Sequence, residues 1–231
     1  MKKLTFLTDD INIDAIPYPA PASDFMPDWY KNMPSKANKE KRSNIFNASM
    51  KVCPGIHDIM RAGYIIPAWC DFYLDLTKHE AKFESSNGER FYSVMPQVAN
   101  KNFPFPKGHE TLFFKFRTPW RIESNSELSV LVTSPKYKFD LPYQMYEGVM
   151  DINPYIAELN FIISVPRGGY VEFKRGDPLI QIIPFATNSF THTVKAIDNS
   201  MLTRINRQAQ YFKSFAFGGF LKSLYRRKTF E

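Results

Sequence analysis

The 231 residues are 44% hydrophobic and 16% aromatic, which is enough apolar surface to bury a core and excludes a globally disordered chain. Seventeen prolines against ten glycines, together with the aromatic content, favour a β class over a helical bundle. Of the formal net charge of +7, the segment from position 201 onward holds +6. No apolar run approaches the roughly 20 residues of a membrane span, and the first residues do not form a secretory signal, so we expect no membrane association.

The first part of the chain, residues 1–46, is predicted to be an extended, Pro-rich arm. Leu4 to Leu7 reads as a short strand, and five prolines then crowd the segment from position 16 to position 34. Three large aromatic side chains lie among them and indicate that the arm covers a surface of its own subunit or of another. Phe25, Trp29 and Tyr30 are therefore candidate partner-binding residues.

Residues 47–198 are predicted to form the β core. Pro54 to Ala62 has the start and stop signals of a short helix, and the segment from Gly63 to Leu76 reads as a strand that begins buried and then alternates. Further strands are expected at 91–98, at 111–117 and, one or two, at 121–132. Cys53 and Cys70 are interpreted as buried thiols.

The stretch from Tyr146 to Phe185 has the strongest β pattern. It contains three apolar or alternating runs separated by turns at Gly168-Gly169 and at Gly176-Asp177. We expect adjacent antiparallel strands here. The residues predicted to be buried are Phe161, Ile163, Val171, Phe173, Ile180 and Ile182.

Residues 199–231 are predicted to form a basic amphipathic helix that runs from Met201 to about Arg227 and is capped by Asn199 and Ser200. Arg and Lys alternate with aromatic residues along it. This pattern suits nucleic acid or an acidic protein partner, and it equally suits an ordinary helix packed on a β core. The candidate partner-binding residues of the helix are Phe212, Phe215, Phe220, Arg226 and Arg227.

Several motifs between positions 111 and 186 resemble the dUTPase and dCTP-deaminase superfamily. Gly148-Val149-Met150-Asp151 is followed by Tyr155, and Gly176-Asp177 is followed by Ile180-Gln181, in the spacing of that superfamily. The resemblance implies a β-clip or jelly-roll fold. It also implies a water-activating role for Asp151 and a sugar-packing role for Tyr155 if the protein is an enzyme.

The residues that bind the triphosphate in that superfamily are missing. Thr133-Ser134-Pro135 stands where an Arg-Ser-Ser motif is expected, so the arginine is lost and Pro135 has no N–H to donate. The Gly-rich closing motif is also absent. A non-catalytic protein on a dUTPase-like scaffold is therefore the preferred interpretation, in which Asp151 is a turn residue, and a dUTPase or dCTP-deaminase-like nucleotide hydrolase is the alternative.

A second resemblance covers most of the chain. Cys53-Pro54, Gly63 to Pro67, Pro119-Trp120 and the closing segment from Gly148 to Phe185 are similar to motifs of an uncharacterised family encoded by tailed phages and some bacteria. This resemblance implies a phage or bacterial origin and no known activity. The missing phosphate-binding residues and the aromatic extensions favour a structural, assembly or binding protein of a virion or of the host cytoplasm. Its expected partners are copies of itself or other phage subunits. The sequence indicates no cofactor and no metal site.

Overall fold

A computed structural model describes residues 3–9, 15–35, 49–77, 81–88, 91–95, 102–110, 112–152, 156–186, 191–194 and 196–215, without the side chains of Met95, Ala157 and residues 208–215. The chain is mainly β, as the composition predicts. It divides into two compact units, of which the first combines residues 1–32 with 54–187 and the second combines residues 33–53 with 188–231.

The described strands all pair in antiparallel fashion. They are Leu4–Leu7 (β1), Ala20–Pro21 (β2), Tyr64–Pro67 (β3), Phe72–Asp75 (β4), Lys82–Ser85 (β5), Tyr92–Met95 (β6), Phe113–Ser124 (β7), Ser129–Thr133 (β8), Gln144–Tyr146 (β9), Gly148–Asp151 (β10), Ala157–Ser164 (β11), Tyr170–Phe173 (β12) and Pro178–Phe185 (β13). The α-helices are Asp28–Asn32 (α1), Pro54–Arg61 (α2) and Asn199–Phe215 (α3), with 3-10 turns at Ala22–Phe25 and Met50–Val52.

The strands of the first unit form three sheets around one core. The first sheet has the order β1-β7-β11-β9, with β6 also on β7; the second has the order β10-β8-β13-β3-β2; the third has the order β12-β4-β5. Phe116 stacks on Phe161 within the first sheet at 5.0 Å, and Phe72 stacks on Phe173 within the third sheet at 4.4 Å. The contact between Phe72 and Phe116 joins the two sheets. Phe72 and Phe116 are themselves 5.7 Å apart between ring centroids. Such aromatic pairs stabilise a core beyond the area that they bury.

The burial predicted for the stretch from 146 to 185 is confirmed, but the predicted strand pairing is wrong. All six residues expected to be buried are at most 4% exposed. The three strands do not pair with one another: β11 lies between β7 and β9, β12 pairs with β4, and β13 lies between β3 and β8. Alternation fixes which side chains face a core, whereas the partner strand depends on residues far away in the chain.

Gly63, which precedes β3, is required by both backbone conformation and space. Its φ is +70°, and a Cβ atom built on it would lie 1.9 Å from the carbonyl oxygen of Ile182 on β13. The absence of a side chain lets Gly63 approach the backbone of β13, and its carbonyl then accepts a hydrogen bond from the N–H of Ala22 at 3.0 Å. The predicted helix before it is confirmed as α2.

A single strand, β7, replaces the separate strands predicted on either side of Pro119-Trp120. Proline has no N–H for the ladder, and the pairing with β11 shifts register between Glu158 and Asn160. The Thr118 hydroxyl takes the place of the missing donor: it donates to the carbonyl of Leu159 at 2.9 Å. It also accepts from the N–H of Trp120 at 3.2 Å, so the long strand continues through the bulge.

The predicted N-terminal arm contributes strands to the first unit. The predicted strand at Leu4–Leu7 is confirmed and pairs with β7, while β2 pairs with β3. The predicted extended conformation is broken by the 3-10 turn and by α1, where Pro27 accepts backbone hydrogen bonds from Tyr30 and Lys31. The arm therefore packs on its own chain.

The second unit contains a short turn and the helix α3. The turn is closed by the N–H of Val52, which donates to the carbonyl of Ser49 at 3.1 Å, and the N–H of Ser49 donates to the carbonyl of Ser35 at 3.1 Å. The helix begins at Asn199, two residues earlier than predicted, because Asp198 caps it: Asp198 Oδ1 accepts from the N–H of Met201 at 2.8 Å and from the hydroxyl of Ser200 at 2.6 Å. These hydrogen bonds, from Ser200 first, lower the pKa of Asp198.

The two cysteines differ in exposure and do not form a disulfide. Cys70 is 6% exposed, as predicted, but Cys53 is exposed and the expectation of a buried thiol there is wrong. The residue follows a 3-10 turn in which no side chain is buried, so it has no core to enter.

Candidate functional site

Asp151, the candidate water-activating residue, is the last residue of the edge strand β10 and is exposed. It lies opposite Ser129 on β8, whose buried hydroxyl donates to Asp151 Oδ1 at 2.5 Å. Asp151 therefore lies on a strand. The non-catalytic interpretation had placed it in a turn. Tyr155 lies outside the described residues, so the predicted pairing of Asp151 with Tyr155 stays a prediction.

The segment after β8, where the resemblance places a phosphate-binding motif, is closed by hydrogen bonds. Thr133 is fully buried and its hydroxyl donates to Glu147 Oε1. Lys136 Nζ donates to the same carboxylate oxygen at 2.7 Å. The Thr133 hydroxyl gives its only proton to this carboxylate, and the charge of Lys136 is paired with it, so both groups are engaged before any phosphate could bind.

Opposing effects act on the pKa of Glu147 in this cluster. Desolvation raises its pKa, but the hydrogen bonds from Lys136 and Thr133 and the positive charge of Lys136 outweigh burial and leave the pKa below its ordinary value. The carboxylate is therefore ionised at neutral pH and the ion pair with Lys136 is formed. This pair cancels the cationic charge that a triphosphate would need.

Gln181, the glutamine of the Gly-Asp-x-x-Ile-Gln resemblance, connects the same loop to helix α2. Its Oε1 accepts from the backbone N–H of Lys136 at 2.9 Å. Its Nε2 donates to the carbonyls of Ile59 at 3.0 Å and Ala62 at 2.8 Å, at the helix C-terminus. The side chain is 1% exposed, and the three hydrogen bonds satisfy its own buried amide while they join the loop to the C-terminus of α2. Gln181 therefore has a structural role in this protein.

The aromatic residues predicted to bind a partner through the arm contact their own chain. Tyr30 is 3% exposed, and its ring lies 6.2 Å from the ring of His57, which is half-buried. Trp29 is half-buried and donates from its indole N–H to the carbonyl of Tyr137 at 3.1 Å. Phe25 is also half-buried, in the 3-10 turn. A role of Phe25 and Trp29 toward a partner stays a prediction.

The candidate residues of the C-terminal helix are described only in part. Phe212 and Phe215 lie within α3, and their side chains are outside the described set, as are Phe220, Arg226 and Arg227 altogether. The first turns of α3 expose apolar side chains: Met201 is 41%, Leu202 47% and Ile205 38% accessible.

A buried serine and a half-buried histidine form a polar cluster that sequence reasoning did not identify. Ser164 is fully buried on β11, and its Oγ lies 2.9 Å from His109 Nδ1 and accepts from the hydroxyl of Tyr146 at 3.0 Å. Phe103 and Phe113 pack around Tyr146 at 5.2 and 4.9 Å between ring centroids. Because Ser164 is enclosed, a substrate carbonyl cannot reach it, and the cluster satisfies buried polar groups. Its only sequence signal was a serine inside an apolar run.

In the described ranges, no group of three or more His, Cys, Asp and Glu side chains is arranged to hold a metal ion. No helix within those ranges has the length and apolar character needed to cross a membrane.

Comparison of the chain with models of known protein families and with curated proteins finds no match.

Proposed function

We propose that this protein is a non-catalytic structural, assembly or binding protein of phage type, built on a dUTPase-like β-clip or jelly-roll scaffold. Antiparallel sheets around one core support the scaffold, as do the positions of Asp151 beside β8 and of Gln181 on β13. Partners are other copies of the chain or other phage subunits, in a virion or in the host cytoplasm.

One observation carries the non-catalytic assignment: the cations and hydroxyls of the expected phosphate site are engaged internally. Lys136 pairs with Glu147, Thr133 is buried and bonded to the same carboxylate, and the N–H of Lys136 is bonded to Gln181. Binding a triphosphate here would require breaking these contacts without an arginine to replace them. A scaffold role needs no such rearrangement.

The partner-binding role is assigned to the C-terminal helix. Met201, Leu202 and Ile205 already expose apolar surface in its first turns, and the helical pattern continues through Phe212 and Phe215. Accessible apolar surface of this kind is typical of an interaction site. The occupant that we propose is a second copy of the chain; nucleic acid on Arg226 and Arg227 is the competing outcome.

Two measurements test this proposal. First, the mass of the purified protein by light scattering should correspond to an oligomer, and the double variant Phe212→Ser/Phe215→Ser should be monomeric. A matched variant at exposed, non-helical positions, Val149→Ser/Val194→Ser, should retain the oligomer. A wild-type monomer at high concentration would contradict self-assembly, and binding of DNA by the monomer would favour the nucleic-acid alternative.

Second, the protein should neither hydrolyse dUTP nor deaminate dCTP. Turnover that is lost in Asp151→Ala would instead establish the nucleotide hydrolase, because Asp151 is exposed and its removal should leave the sheets folded. Turnover that is unchanged in Asp151→Ala would indicate a contaminating enzyme and leave the non-catalytic assignment in place.

A further inference from the structure

A groove of about 360 Å³ lies on the solvent face of the first sheet, whereas Asp151 lies on β10 of the second sheet. Its volume is in the range of sites for small ligands. Strands β6, β7 and β11 form it. The lining residues are Phe91, Tyr92, Ser93, Lys115, Arg117, Glu158 and Asn160.

Two cations on β7 dominate the charge of the groove. Lys115 and Arg117 are exposed on the same face of the strand, so their Cα atoms are about 7 Å apart. Lys115 lies opposite Ser93 of β6, and Arg117 lies opposite Asn160 of β11. Within the part of the chain that the structure describes, neither cation forms an ion pair.

The one carboxylate of the lining does not neutralise these cations. Glu158 pairs with Arg121 at 3.6 Å, outside the groove, and Arg121 also contacts Asp9 at 3.4 Å. Glu158 is therefore held by a third cation. The groove retains positive charge from Lys115 and Arg117, which favours an anionic ligand.

A polar atom of the lining also lacks a partner. Asn160 Oδ1 is enclosed and accepts no hydrogen bond from any described residue. Enclosed polar atoms are usually paired, so an acceptor left in this state is unfavourable and marks a place where a donor is expected. The amide lies on β11 directly across from Arg117.

We propose that this groove binds a small phosphate ester that carries hydroxyl groups, such as a sugar phosphate. The phosphate lies between Lys115 and Arg117, where charge-assisted hydrogen bonds to a guanidinium and an ammonium are strongest. The amide of Asn160 turns on binding, so that its Oδ1, which is enclosed and unpaired in the free protein, accepts a hydrogen bond from a hydroxyl of the ligand. The site is independent of the closed segment around Thr133 and of the proposed assembly role.

Calorimetric titration of the full chain with ribose 5-phosphate tests the assignment at low salt. Wild type should bind, and Lys115→Gln/Arg117→Gln should weaken binding by about tenfold or more. The matched variant Lys174→Gln/Arg167→Gln loses the same charge at exposed positions elsewhere and should bind within about twofold of wild type. Thermal melting of each variant checks that the fold is retained.

A second titration tests the hydroxyl contact. Wild type should prefer ribose 5-phosphate over inorganic phosphate, and Asn160→Ala should remove this preference while leaving the affinity for inorganic phosphate within about twofold. Absence of binding to wild type, or an equal loss in the two double variants, would overturn the site. If a single-stranded oligonucleotide binds more tightly than ribose 5-phosphate with the same dependence on Lys115 and Arg117, the phosphate of a nucleic acid is the ligand, and the small-molecule assignment is wrong.

Discussion

The indole N–H of Trp29 donates to the backbone carbonyl of Tyr137 at 3.1 Å and fastens the N-terminal arm to the loop after β8. Phe139 of the same loop lies 5.8 Å from the Trp29 ring. Tyr137 has a φ of 60°, a conformation that a bulky side chain rarely adopts. The loop and the arm therefore support each other within one chain.

We expect substitutions of Trp29 to destabilise the monomer. Trp29→Phe keeps a ring but loses the hydrogen bond, at a cost of about 1 kcal/mol. Trp29→Ala also loses the ring contacts with Tyr30 and Phe139, at a cost of about 2–4 kcal/mol. Urea unfolding followed by far-UV circular dichroism measures the stability of both variants. The control is Val149→Ala, because Val149 is 63% exposed. Wild-type stability in Trp29→Ala would mean that the arm is not held on its own chain.

Gln181→Leu should destabilise the first unit more than an ordinary polar-to-apolar change. The substitution keeps the approximate volume but leaves the N–H of Lys136 and the carbonyls of Ile59 and Ala62 without their partner, at about 2–4 kcal/mol in total. Gln144→Leu, at an exposed position on β9, is the matched control and should change stability by less than about 0.5 kcal/mol. Equal unfolding midpoints for the two variants would show that the three hydrogen bonds do not stabilise the fold.

How far the fold follows from sequence is clearest in β11, β12 and β13. Period-two alternation correctly predicted that Phe161, Val171 and Ile180 are buried, because alternation depends only on neighbours in the chain. It also suggested a simple meander. The structure instead places the strands in three different sheets, since β11 pairs with β7, β12 with β4 and β13 with β3, and the paired residues are 35 to 118 positions apart in the chain. A Gly turn looks the same whether it joins two paired strands or passes between sheets.

The candidate site, like the fold, could be predicted from the sequence only in part. The motif comparison located Asp151, Thr133 and Gln181, which do lie on neighbouring strands of one sheet. It could not find Glu147 as the partner of Lys136, because that contact depends on how the loop after β8 folds back toward β10. The cations of the groove were also missed, since two basic residues in alternation read as an ordinary solvent face of a strand.

Gly63→Ala should prevent stable folding of the first unit, whereas Gly88→Ala should be tolerated. The two glycines have almost the same φ, +70° and +72°, so both substitutions carry a similar backbone strain of about 1–2 kcal/mol. Only Gly63 adds a clash with the carbonyl oxygen of Ile182, and no atom lies within 4 Å of a Cβ at Gly88. The difference in unfolding free energy between the two variants therefore measures the cost of the clash between residue 63 and β13. A difference below about 1 kcal/mol would mean that Gly63 is not needed for the close approach to β13.

Stability should decrease in acid partly because of Glu147. Its pKa in the folded protein is lower than the ordinary value of 4.5: desolvation raises the pKa, but the hydrogen bonds from Lys136 and Thr133 more than offset it. A carboxyl group with a lowered folded pKa stabilises the fold above its unfolded pKa, and this contribution is lost as the pH falls through the folded pKa.

Glu147→Gln should therefore lower the stability at pH 7, by less than about 1 kcal/mol because the side chain is 46% exposed and solvent screens the pair. The difference from wild type should shrink as the pH falls below 4.5 and the wild-type carboxyl is protonated. Urea midpoints at pH 7, 5 and 3 measure this, with Glu172→Gln as the control, since Glu172 forms no ion pair with a described residue. A deficit in Glu147→Gln that is as large at pH 3 as at pH 7 would mean that the charge of the pair with Lys136 does not account for the loss of stability.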